Sequence, residues 1–549
     1  MTNVVWGMDL LESEENTSPI DIREMSLQKT KDRLEHFDRI LSASEEETDL
    51  DIFYQRGGRT NPRAEKAKEA YSWKTVIHLE GSEYRKLLNH FANIAEEGLD
   101  TRAVDLRKRH ALYEQFLSDP EFIEQRKAAL GAYNKRRITV ESLGEISLDK
   151  VGTLLQTHPD TKVRESLFMK ARELDDLERK VHEEIDTLNN AVRRHARAHN
   201  FFEVRAAYCE VDPAKVEQMM RKFVDGTKQT YEKLVRELIG QEKIAPWDLN
   251  YVIAQKDPFT RLGVSMNPSV LMAAGLELLN NIGYDPIIVK GLFQPGEGVH
   301  IDIEKREGKG PGAFTCSLGP YSLSKNILFY QPTMFEGDAS RRLTVFPHEL
   351  GHAIHHEMNR LASRRHGAIF FTENTVGLEI VSKFHDALPL EEAYLTAHYT
   401  GTDAKTLTKW STFNTLHAMY GLIRIALGDI GMHRRGTEHA QEAFHEGSEL
   451  VKPENVEPRM GPSPAYVLAH HVFNQPAYLF TYFLADLYRI ALLETVRQAH
   501  GSLITPKTGP FLIEKVMTGN ITPMHERVIK ATGTTDIVEN AVRYFNEKK

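Results

Sequence analysis

Cysteine is scarce in this chain of 549 residues, which contains only Cys209 and Cys316. Two cysteines cannot build a framework of disulfides, and such low usage is typical of a reducing compartment, so we expect the protein to be cytoplasmic. No run of about 18 apolar residues occurs, and no membrane-spanning helix is therefore expected. Residues 1–20 are acidic and lack an apolar core flanked by positive charge, so no signal peptide is expected.

Basic blocks and flexible linkers are lacking as well. The formal net charge is −9 and the isoelectric point is about 6.3, and lysine and arginine do not cluster with aromatic residues, so no nucleic-acid partner is expected. The 35 glycines and 23 prolines are a usual share and form no long linker with serine. Helical periodicity runs from Leu27 to the end of the chain. It predicts one continuous, mainly α-helical body, with an N-terminal helical region at residues 1–255 and a second region at residues 256–549.

Periodicity and turn residues place some individual elements. We expect a polar loop at Asp51–Asn61 and one long helix, or a nearly continuous pair of helices, at Asp160–Asn200. Strand signals are sparse: Val299–Glu304 alternates polar and apolar residues, and Ala313–Ser317 and Ile327–Tyr330 are short β-type runs. These three segments predict a small β-sheet. An edge strand of such a sheet is suited to pairing with an extended peptide backbone, although a purely structural hairpin would give the same signals.

The most informative motif is His348-Glu-Leu-Gly-His352. On a helix, residues four apart lie on one face, so these two histidines can send two imidazole nitrogens to one metal ion. Glu349 lies beside them, where a carboxylate can take a proton from a zinc-activated water. Two imidazoles favour Zn²⁺ over Mg²⁺ or Ca²⁺, which prefer oxygen ligands. A polar helix face with solvated histidines is the alternative, but the apolar residues of Leu343–Met358 have helical spacing, which predicts a buried helix.

Two residues of this predicted helix are unusual. Gly351 costs about 1 kcal/mol in a helix interior relative to alanine, so we expect another part of the chain to approach the backbone there. Pro347 directly precedes His348. Because proline is tolerated in the first turn of a helix and disfavoured in its interior, the helix is expected to begin close to Pro347.

A catalytic zinc keeps three protein ligands and one open position, so a third ligand is needed. Glu379 is the best candidate, because it lies near the start of a second amphipathic helix that can pack on the first. Glu373 competes with it, but Glu373 lies in the connection Gly367–Asn374, where solvated glutamates are the norm. Asp386 follows Glu379 by two helical turns, on the same face. It is suited to hold the outer N–H of a zinc-bound histidine, or it is an ordinary surface carboxylate.

These residues resemble a known family. The stretches Gly308–Ser317, Asn326–Tyr330 and His348–His355 resemble the thimet oligopeptidase and oligoendopeptidase F family, in which a glycine-rich turn, two strands and the zinc helix follow one another. Glu379-Ile-Val-Ser resembles the family's Glu-x-x-Ser at the third zinc ligand, and the resemblance extends over residues 160–549. It implies a large, helical, two-lobed bowl with a deep cleft and a small β-sheet next to the zinc helix. It also implies one Zn²⁺ per chain, held by the two motif histidines and Glu379, and a peptide substrate.

The chain departs from this family in two places. The gap from His352 to Glu379 is 27 residues, slightly longer than expected, and the family's late Gly-Gly-Tyr segment is absent. In its place Tyr478 follows His471 by seven residues, which resembles the angiotensin-converting-enzyme arrangement. For the hydroxyl donor to the reacting carbonyl we expect Tyr482, with Tyr478 as a substrate contact and His471 as an alternative donor. Alternatively, Tyr478 and Tyr482 are core residues that only pack against their neighbours.

The sequence therefore predicts a zinc-dependent metallopeptidase whose catalytic part is residues 256–549. A zinc-activated water would cleave the peptide bonds of short, unfolded oligopeptides, with Glu349 as the general base. Two other classes stay open. One is a specialised zinc amidase acting on a modified or non-ribosomal small molecule, and the other is a binding protein that has lost catalysis, against which the intact Glu349 argues. Nothing in the sequence indicates the oligomeric state.

Overall fold

Helices form most of the described chain, as predicted. The computed structural model describes residues 22, 25–56, 62, 64–78, 82–95, 99–240, 242–262, 267–292, 299–302, 313–317, 326–330, 339–366, 373–399, 403–458, 460–469, 471–519 and 522–548. Within these residues, no helix has the length and apolar character that a membrane span requires.

The helices fall into two series, one before and one after a small central sheet. The first series is α1 (Leu27–Arg56), α2 (Ala64–His78), α3 (Glu83–Ile94), α4 (Leu99–Leu117), α5 (Pro120–Lys135), α6 (Leu148–Thr157), α7 (Thr161–Lys170), α8 (Asp175–His195), α9 (Phe201–Tyr208), α10 (Pro213–Leu234) with a π turn at Val235–Ile239, α11 (Leu249–Lys256), a 3₁₀ turn at Pro258–Arg261, α12 (Pro268–Asn281) and α13 (Pro286–Leu292). The second series is α14 (Ala339–His366), α15 (Thr375–Ala387), a 3₁₀ turn at Leu388–Leu390, α16 (Glu392–His398), α17 (Ala404–Arg435), a 3₁₀ turn at Thr437–His439, α18 (Ala440–Val451), a 3₁₀ turn at Pro464–Leu468, α19 (His471–Asn474), α20 (Leu479–His500), α21 (Thr508–Lys515), α22 (Met524–Thr532) and α23 (Ile537–Glu547).

Polar side chains at the helix starts explain several of these bounds. Asp212 precedes the first-turn residue Pro213, and its carboxylate accepts a hydrogen bond from the N–H of Ala214. Asn374 caps α15 in the same way, with its side-chain oxygen 3.0 Å from the N–H nitrogen of Gly377. Aspartate or asparagine at this position satisfies a backbone donor that has no partner within the helix, and proline in the first turn loses no hydrogen bond.

Two helical predictions have different outcomes. The segment Asp160–Asn200 is a nearly continuous pair of helices, α7 and α8, as predicted. The predicted loop at Asp51–Asn61 is wrong in its first part, because α1 continues to Arg56. No glycine or proline occurs in this segment before Gly57, so nothing in the sequence ends the helix earlier. Residues 57–61 lie outside the described residues.

The structure contains a β-hairpin in the first half of the chain that the sequence analysis does not predict. Its strands are β1 (Arg137–Val140) and β2 (Gly144–Ser147), which pair antiparallel. Gly144 closes the turn with a φ of 72°, a conformation that glycine adopts without steric cost. Strands of four residues between long helices give an alternating pattern that is too short to recognise.

The predicted small sheet is present, with the strand order β3 (Val299–Asp302), β5 (Asn326–Tyr330) and β4 (Ala313–Ser317). β3 is parallel to β5 and β4 is antiparallel to it. The three predicted strands are confirmed, and the two residues predicted beyond Asp302 lie outside the described residues. Among the described strands, β4 lies at an edge of this sheet. It contacts α14, where the Thr315 hydroxyl lies 3.1 Å from the backbone carbonyl oxygen of Glu349.

Helix α14, which carries the His-Glu-x-x-His motif, belongs to the largest hydrophobic core. This core extends from Tyr113 to Phe545 and includes Leu350 and Ile354 of α14. The predicted burial of the motif helix is therefore confirmed. The core draws residues from both sides of position 255, and the predicted division at that position stays a prediction.

Pro347 lies well inside α14, which begins at Ala339, so the predicted start of the helix beside Pro347 is wrong. An interior proline has no N–H for the carbonyl one turn earlier and costs about 3 kcal/mol. Leu343, Phe346 and Leu350, which surround it on the helix, are at most 7% exposed. Burial of these side chains offsets the local penalty, so tertiary packing overrides the propensity of one residue.

Candidate metal centre

Helices α14 and α15 cross closely enough to bring polar side chains of both together. A Cβ atom on Gly351 would lie 2.8 Å from the Cα of Ser382 and 2.9 Å from Nδ1 of His385. A larger residue would push the helices apart, which explains a glycine in the interior of a helix. The predicted close approach at Gly351 is confirmed.

Three side chains converge at this crossing. The Nε2 atoms of His348 and His352 lie 3.5 Å and 3.6 Å, respectively, from Oε2 of Glu379. Ligands placed about 2.0–2.2 Å from a tetrahedral zinc ion would be roughly 3.4 Å apart, so these atoms already have suitable spacing. Among the described residues, this is the one group of histidine, cysteine and acidic side chains with the geometry to hold a metal ion.

The chemistry of the three side chains also fits a cation. Glu379 is 3% exposed, and a buried carboxylate is costly unless a cation or hydrogen bonds compensate it. Burial raises the pKa of Glu379 and holds the pKa of His352 well below its usual value. His352 is therefore a neutral imidazole, which is the form that binds a metal. Two imidazole nitrogens and one carboxylate oxygen are a donor set that suits Zn²⁺.

Further side chains hold the outer atoms of these candidate ligands. Nδ1 of His348 lies 3.1 Å from Oδ1 of Asp386, the contact predicted for that carboxylate. Burial lowers the pKa of His348, but the carboxylates of Asp386, Glu379 and Glu349 together outweigh this effect and the pKa rises to about 9. On Glu379, Oε1 accepts a hydrogen bond of 2.6 Å from the Tyr478 hydroxyl, and Oε2 accepts one of 3.2 Å from Ser382. These contacts point the ligand atoms of His348 and Glu379 towards each other.

Glu349 lies on α14 beside the three candidate ligands and is 4% exposed. Burial raises the pKa of Glu349 to about 7, although the His348 charge and a hydrogen bond from Thr315 act in the opposite direction. In that hydrogen bond, the Thr315 hydroxyl of strand β4 lies 2.8 Å from Oε2 of Glu349. A carboxyl group with a pKa near 7 is suited to accept and release a proton at neutral pH.

The three aromatic residues predicted near the site lie next to one another. The ring centroids of Tyr478 and Tyr482 are 5.0 Å apart, and those of His471 and Tyr482 are 6.4 Å apart. The Tyr478 hydroxyl is engaged by Glu379. The ammonium of Lys383 lies 5.2 Å from the centroid of the Tyr482 ring. Burial raises the pKa of Tyr482 well above that of a free phenol, so its hydroxyl keeps its proton and can act as a donor.

Glu373, the competing candidate for the third ligand, lies outside this group. Its predicted exposure to solvent is wrong, because Glu373 is 4% exposed and accepts a hydrogen bond of 2.6 Å from Arg527. Its Oε2 atom also lies 3.8 Å from Nε2 of the fully buried His355. The residues around Glu373 give no sign of this, since its partner is 154 positions away in the sequence.

Thr315 and Lys383 are candidate functional residues that the sequence prediction omits. Thr315 lies in a correctly predicted strand, but its contact with Glu349 depends on how the sheet packs on α14. Lys383 lies four residues after Glu379 on α15, so helical spacing was an available signal. Its position is fixed by an ion pair of 3.1 Å with Asp486 on α20, a contact that only the tertiary structure reveals.

Comparisons with known proteins show what fold this chain has. No protein-family model matches the sequence, and no curated protein matches it. Solved structures match over nearly the whole chain. A structure of PZ peptidase A with an inhibitor has a TM-score of 0.67 at 14% identity, covering 97% of this chain and 99% of that one. A structure assigned as oligoendopeptidase F has a TM-score of 0.69 at 15% identity, with 97% of each chain covered.

A third structure, assigned as oligoendopeptidase F from Bacillus anthracis, has a TM-score of 0.68 at 14% identity and covers 99% of this chain and 94% of that one. Together these matches show that the chain has the fold of these oligopeptidases. They confirm the predicted fold class, a mainly α-helical fold with a small sheet next to the motif helix, and the resemblance to the oligoendopeptidase F family at the level of the fold.

Proposed function

We propose that this protein is a zinc-dependent metallopeptidase that hydrolyses peptide bonds in short, unfolded oligopeptides. The observation that carries the proposal is the convergence of His348, His352 and Glu379 next to the buried Glu349, on a fold shared with oligopeptidases. Three protein ligands with a carboxylate beside them are typical of a catalytic rather than a structural zinc site, because a structural site has four protein ligands.

Each side chain of the site has a role in this chemistry. A bound Zn²⁺, held by His348, His352 and Glu379, would act as a Lewis acid towards the peptide carbonyl and a water molecule. Asp386 and Tyr478 hold the outer atoms of two of these ligands and thereby orient them. In this assignment the Tyr478 hydroxyl acts on the ligand, which replaces the substrate contact expected from the sequence.

In this proposal Glu349 transfers the proton, and Tyr482 stabilises the negative charge that develops on the substrate oxygen. The Glu349 carboxylate accepts a proton from the attacking water and passes it to the nitrogen of the leaving amine. The hydrogen bond from Thr315 holds Glu349 for this transfer. The Tyr482 hydroxyl donates to the oxyanion of the tetrahedral intermediate, where a fixed donor is worth more than a water molecule that must reorient.

The edge strand β4 is suited to hold the substrate. β4 pairs with β5 along one side, and its Thr315 reaches Glu349 of the site. A peptide paired along the other side of β4 would be extended and close to Glu349. Only an unfolded segment can add a strand in this way, so folded proteins are expected to be poor substrates.

A digest with substrates of different size tests this proposal. The zinc-loaded protein is incubated with peptides of roughly 5–15 residues, with casein and with folded lysozyme, and the products are identified by mass spectrometry, with and without chelator. We expect several peptides to be cleaved and the chelator to abolish this cleavage. Folded lysozyme should stay intact. Efficient cleavage of lysozyme contradicts the restriction to unfolded chains. If zinc is bound and no peptide is cut, a specialised zinc amidase becomes the better assignment.

Exchange of each tyrosine for phenylalanine is expected to separate their two roles. Tyr482→Phe removes the oxyanion donor, and kcat should fall by about 10²–10³-fold with little change in KM. Tyr478→Phe removes a hydrogen bond to Glu379, and zinc affinity should fall by about 10–100-fold while kcat at saturating zinc stays near that of the parent. Steady-state kinetics and competition with a chromophoric chelator measure both quantities.

Tyr488, a buried tyrosine further along α20, provides the matched control. Tyr488→Phe is expected to change neither kcat nor zinc affinity by more than a few-fold. If kcat of Tyr482→Phe also stays within a few-fold of the parent, Tyr482 is not the donor, and His471 becomes the leading candidate.

A further inference from the structure

The turn that leads into Tyr478 has a strained backbone. Ala477 has a φ of 53°, and it is one of two non-glycine residues with positive φ in the described part of the chain. Alanine in this left-handed region costs about 1–2 kcal/mol, so the surrounding structure must hold it there. Strain directly before a residue that contacts a candidate metal ligand indicates that the turn is held for a reason other than stability.

Two buried side chains from distant helices hold this turn. Arg205 of α9 is 3% exposed, and its Nη1 donates a hydrogen bond of 2.6 Å to the carbonyl oxygen of Pro476. The carboxyl group of Asp429 on α17, which is 1% exposed, accepts a hydrogen bond from the backbone N–H of Ala477. The residues on both sides of the Pro476–Ala477 peptide bond are thus fixed from outside the turn.

Arg205 also contacts the tyrosine itself. Its guanidinium carbon lies 4.6 Å from the centroid of the Tyr478 ring, a distance typical of a cation–π contact. The Nε atom of Arg205 has no hydrogen-bond partner. In the described residues Arg205 forms no direct ion pair, and the buried Asp429 acts on it only through a longer electrostatic interaction. Burying an arginine without a direct ion pair is costly, so core packing alone is a poor explanation of its presence.

We propose that Arg205 is a positioning residue for the metal site, holding Tyr478 so that its hydroxyl stays on Glu379. The chain of contacts runs from the guanidinium to the Tyr478 ring and the Pro476 carbonyl, and from the Tyr478 hydroxyl to Oε1 of Glu379 at 2.6 Å. Arg205 thereby acts on the third ligand through Tyr478. The inference rests on the proposed function, because it concerns zinc held by Glu379.

The zinc affinities of four proteins test this inference: the parent, Arg205→Met, Tyr478→Phe and the double variant, each measured by competition with a chromophoric chelator. Each single substitution should weaken zinc binding by about 10–100-fold. The double variant should bind about as tightly as Tyr478→Phe, because Arg205 acts through the hydroxyl that is already missing. Arg205→Lys should restore part of the affinity, since lysine keeps the charge and a donor but lacks the planar group that stacks on the ring.

Arg164 provides a matched control. It is a buried arginine, 4% exposed, whose guanidinium carbon lies 3.9 Å from the centroid of the Tyr251 ring. It also pairs with Asp248, in contact with neither Tyr478 nor Glu379. Arg164→Met should lower the melting temperature of the zinc-free protein and leave its zinc affinity at the parent value.

Each outcome decides between the two claims. If the parent binds no zinc, the proposed function is wrong and the role of Arg205 falls with it. If the parent binds zinc but Arg205→Met binds it equally well, or the effects of Arg205→Met and Tyr478→Phe add fully, the role of Arg205 alone is overturned. Should Arg205→Met fail to fold, the same cycle is run with Arg205→Lys. We expect Arg205→Lys to lower zinc affinity several-fold in the parent and to have no further effect in the Tyr478→Phe background. Parent-like affinity of Arg205→Lys would then contradict the inference.

Discussion

Replacement of Glu349 by glutamine is expected to reduce peptide hydrolysis by about 10²–10⁴-fold while zinc content and thermal stability stay close to those of the parent. The amide has nearly the same shape and can still accept a hydrogen bond from Thr315, but it cannot take up a proton. Glu349 donates no ligand atom to the His348, His352 and Glu379 group, so the metal should remain. Steady-state rates, metal analysis and a melting curve measure the three quantities.

Glu184→Gln is a suitable control for the Glu349 exchange. Glu184 of α8 is a fully buried glutamate, and burial raises its pKa well above the usual value, which favours its neutral form. An amide should therefore replace it with little effect on activity. A Glu349→Gln protein that hydrolyses peptides at a rate near that of the parent would rule out Glu349 as the general base.

Replacement of Glu379 by alanine should remove stoichiometric zinc. It deletes one of three ligands, so the loss of affinity should exceed the roughly 10–100-fold cost of losing an outer partner. Activity should disappear with the metal. Metal analysis after gel filtration and chelator competition measure the loss, and a melting curve of the zinc-free protein shows whether the variant folds.

Glu373→Ala is the informative comparison, because Glu373 is the other candidate for the third ligand that the sequence offers. This variant leaves the buried Arg527 without its carboxylate, so stability should fall by about 3–5 kcal/mol. Zinc binding by the folded protein should be unaffected. Retention of zinc by Glu379→Ala, together with its loss from Glu373→Ala, would show that the ligand assignment is reversed.

The core of the site was predictable because its residues are related by short, regular spacings. His348 and His352 are one helical turn apart, and Asp386 follows Glu379 by two turns. The geometry of an α-helix therefore places the members of each pair on one face of their helix. The structure brings the two pairs together, with Asp386 on the outer nitrogen of His348. The family resemblance supported the choice of Glu379 over a nearby glutamate.

The remaining contacts were not predictable, because they join residues that are distant in the sequence. Thr315 meets Glu349 across a sheet–helix contact, Glu373 meets Arg527, and Arg205 meets the turn before Tyr478. Each depends on the packing of complete elements, which no local pattern encodes.

Local rules failed for one clear physical reason in the motif helix. Pro347 would end an isolated helix, but the apolar side chains around it are buried and α14 continues through it. The hairpin β1–β2 was missed for another reason, because its four-residue strands are too short to show a clear alternation of polar and apolar residues. The fold class, which depends on composition and periodicity summed over hundreds of residues, was predicted correctly.

A zinc titration of the metal-free protein tests whether zinc bound at this site is required for peptide hydrolysis. Chelator-treated protein is titrated with Zn²⁺ while bound metal and the rate of hydrolysis of one cleavable peptide are measured together, with Glu349→Gln in parallel. We expect no hydrolysis without metal and a rate that rises in proportion to bound zinc and levels off at one ion per chain. The variant should bind zinc equally well without hydrolysing the peptide. Hydrolysis by the metal-free protein, or binding of zinc at His348, His352 and Glu379 that restores no hydrolysis of any peptide, would contradict it.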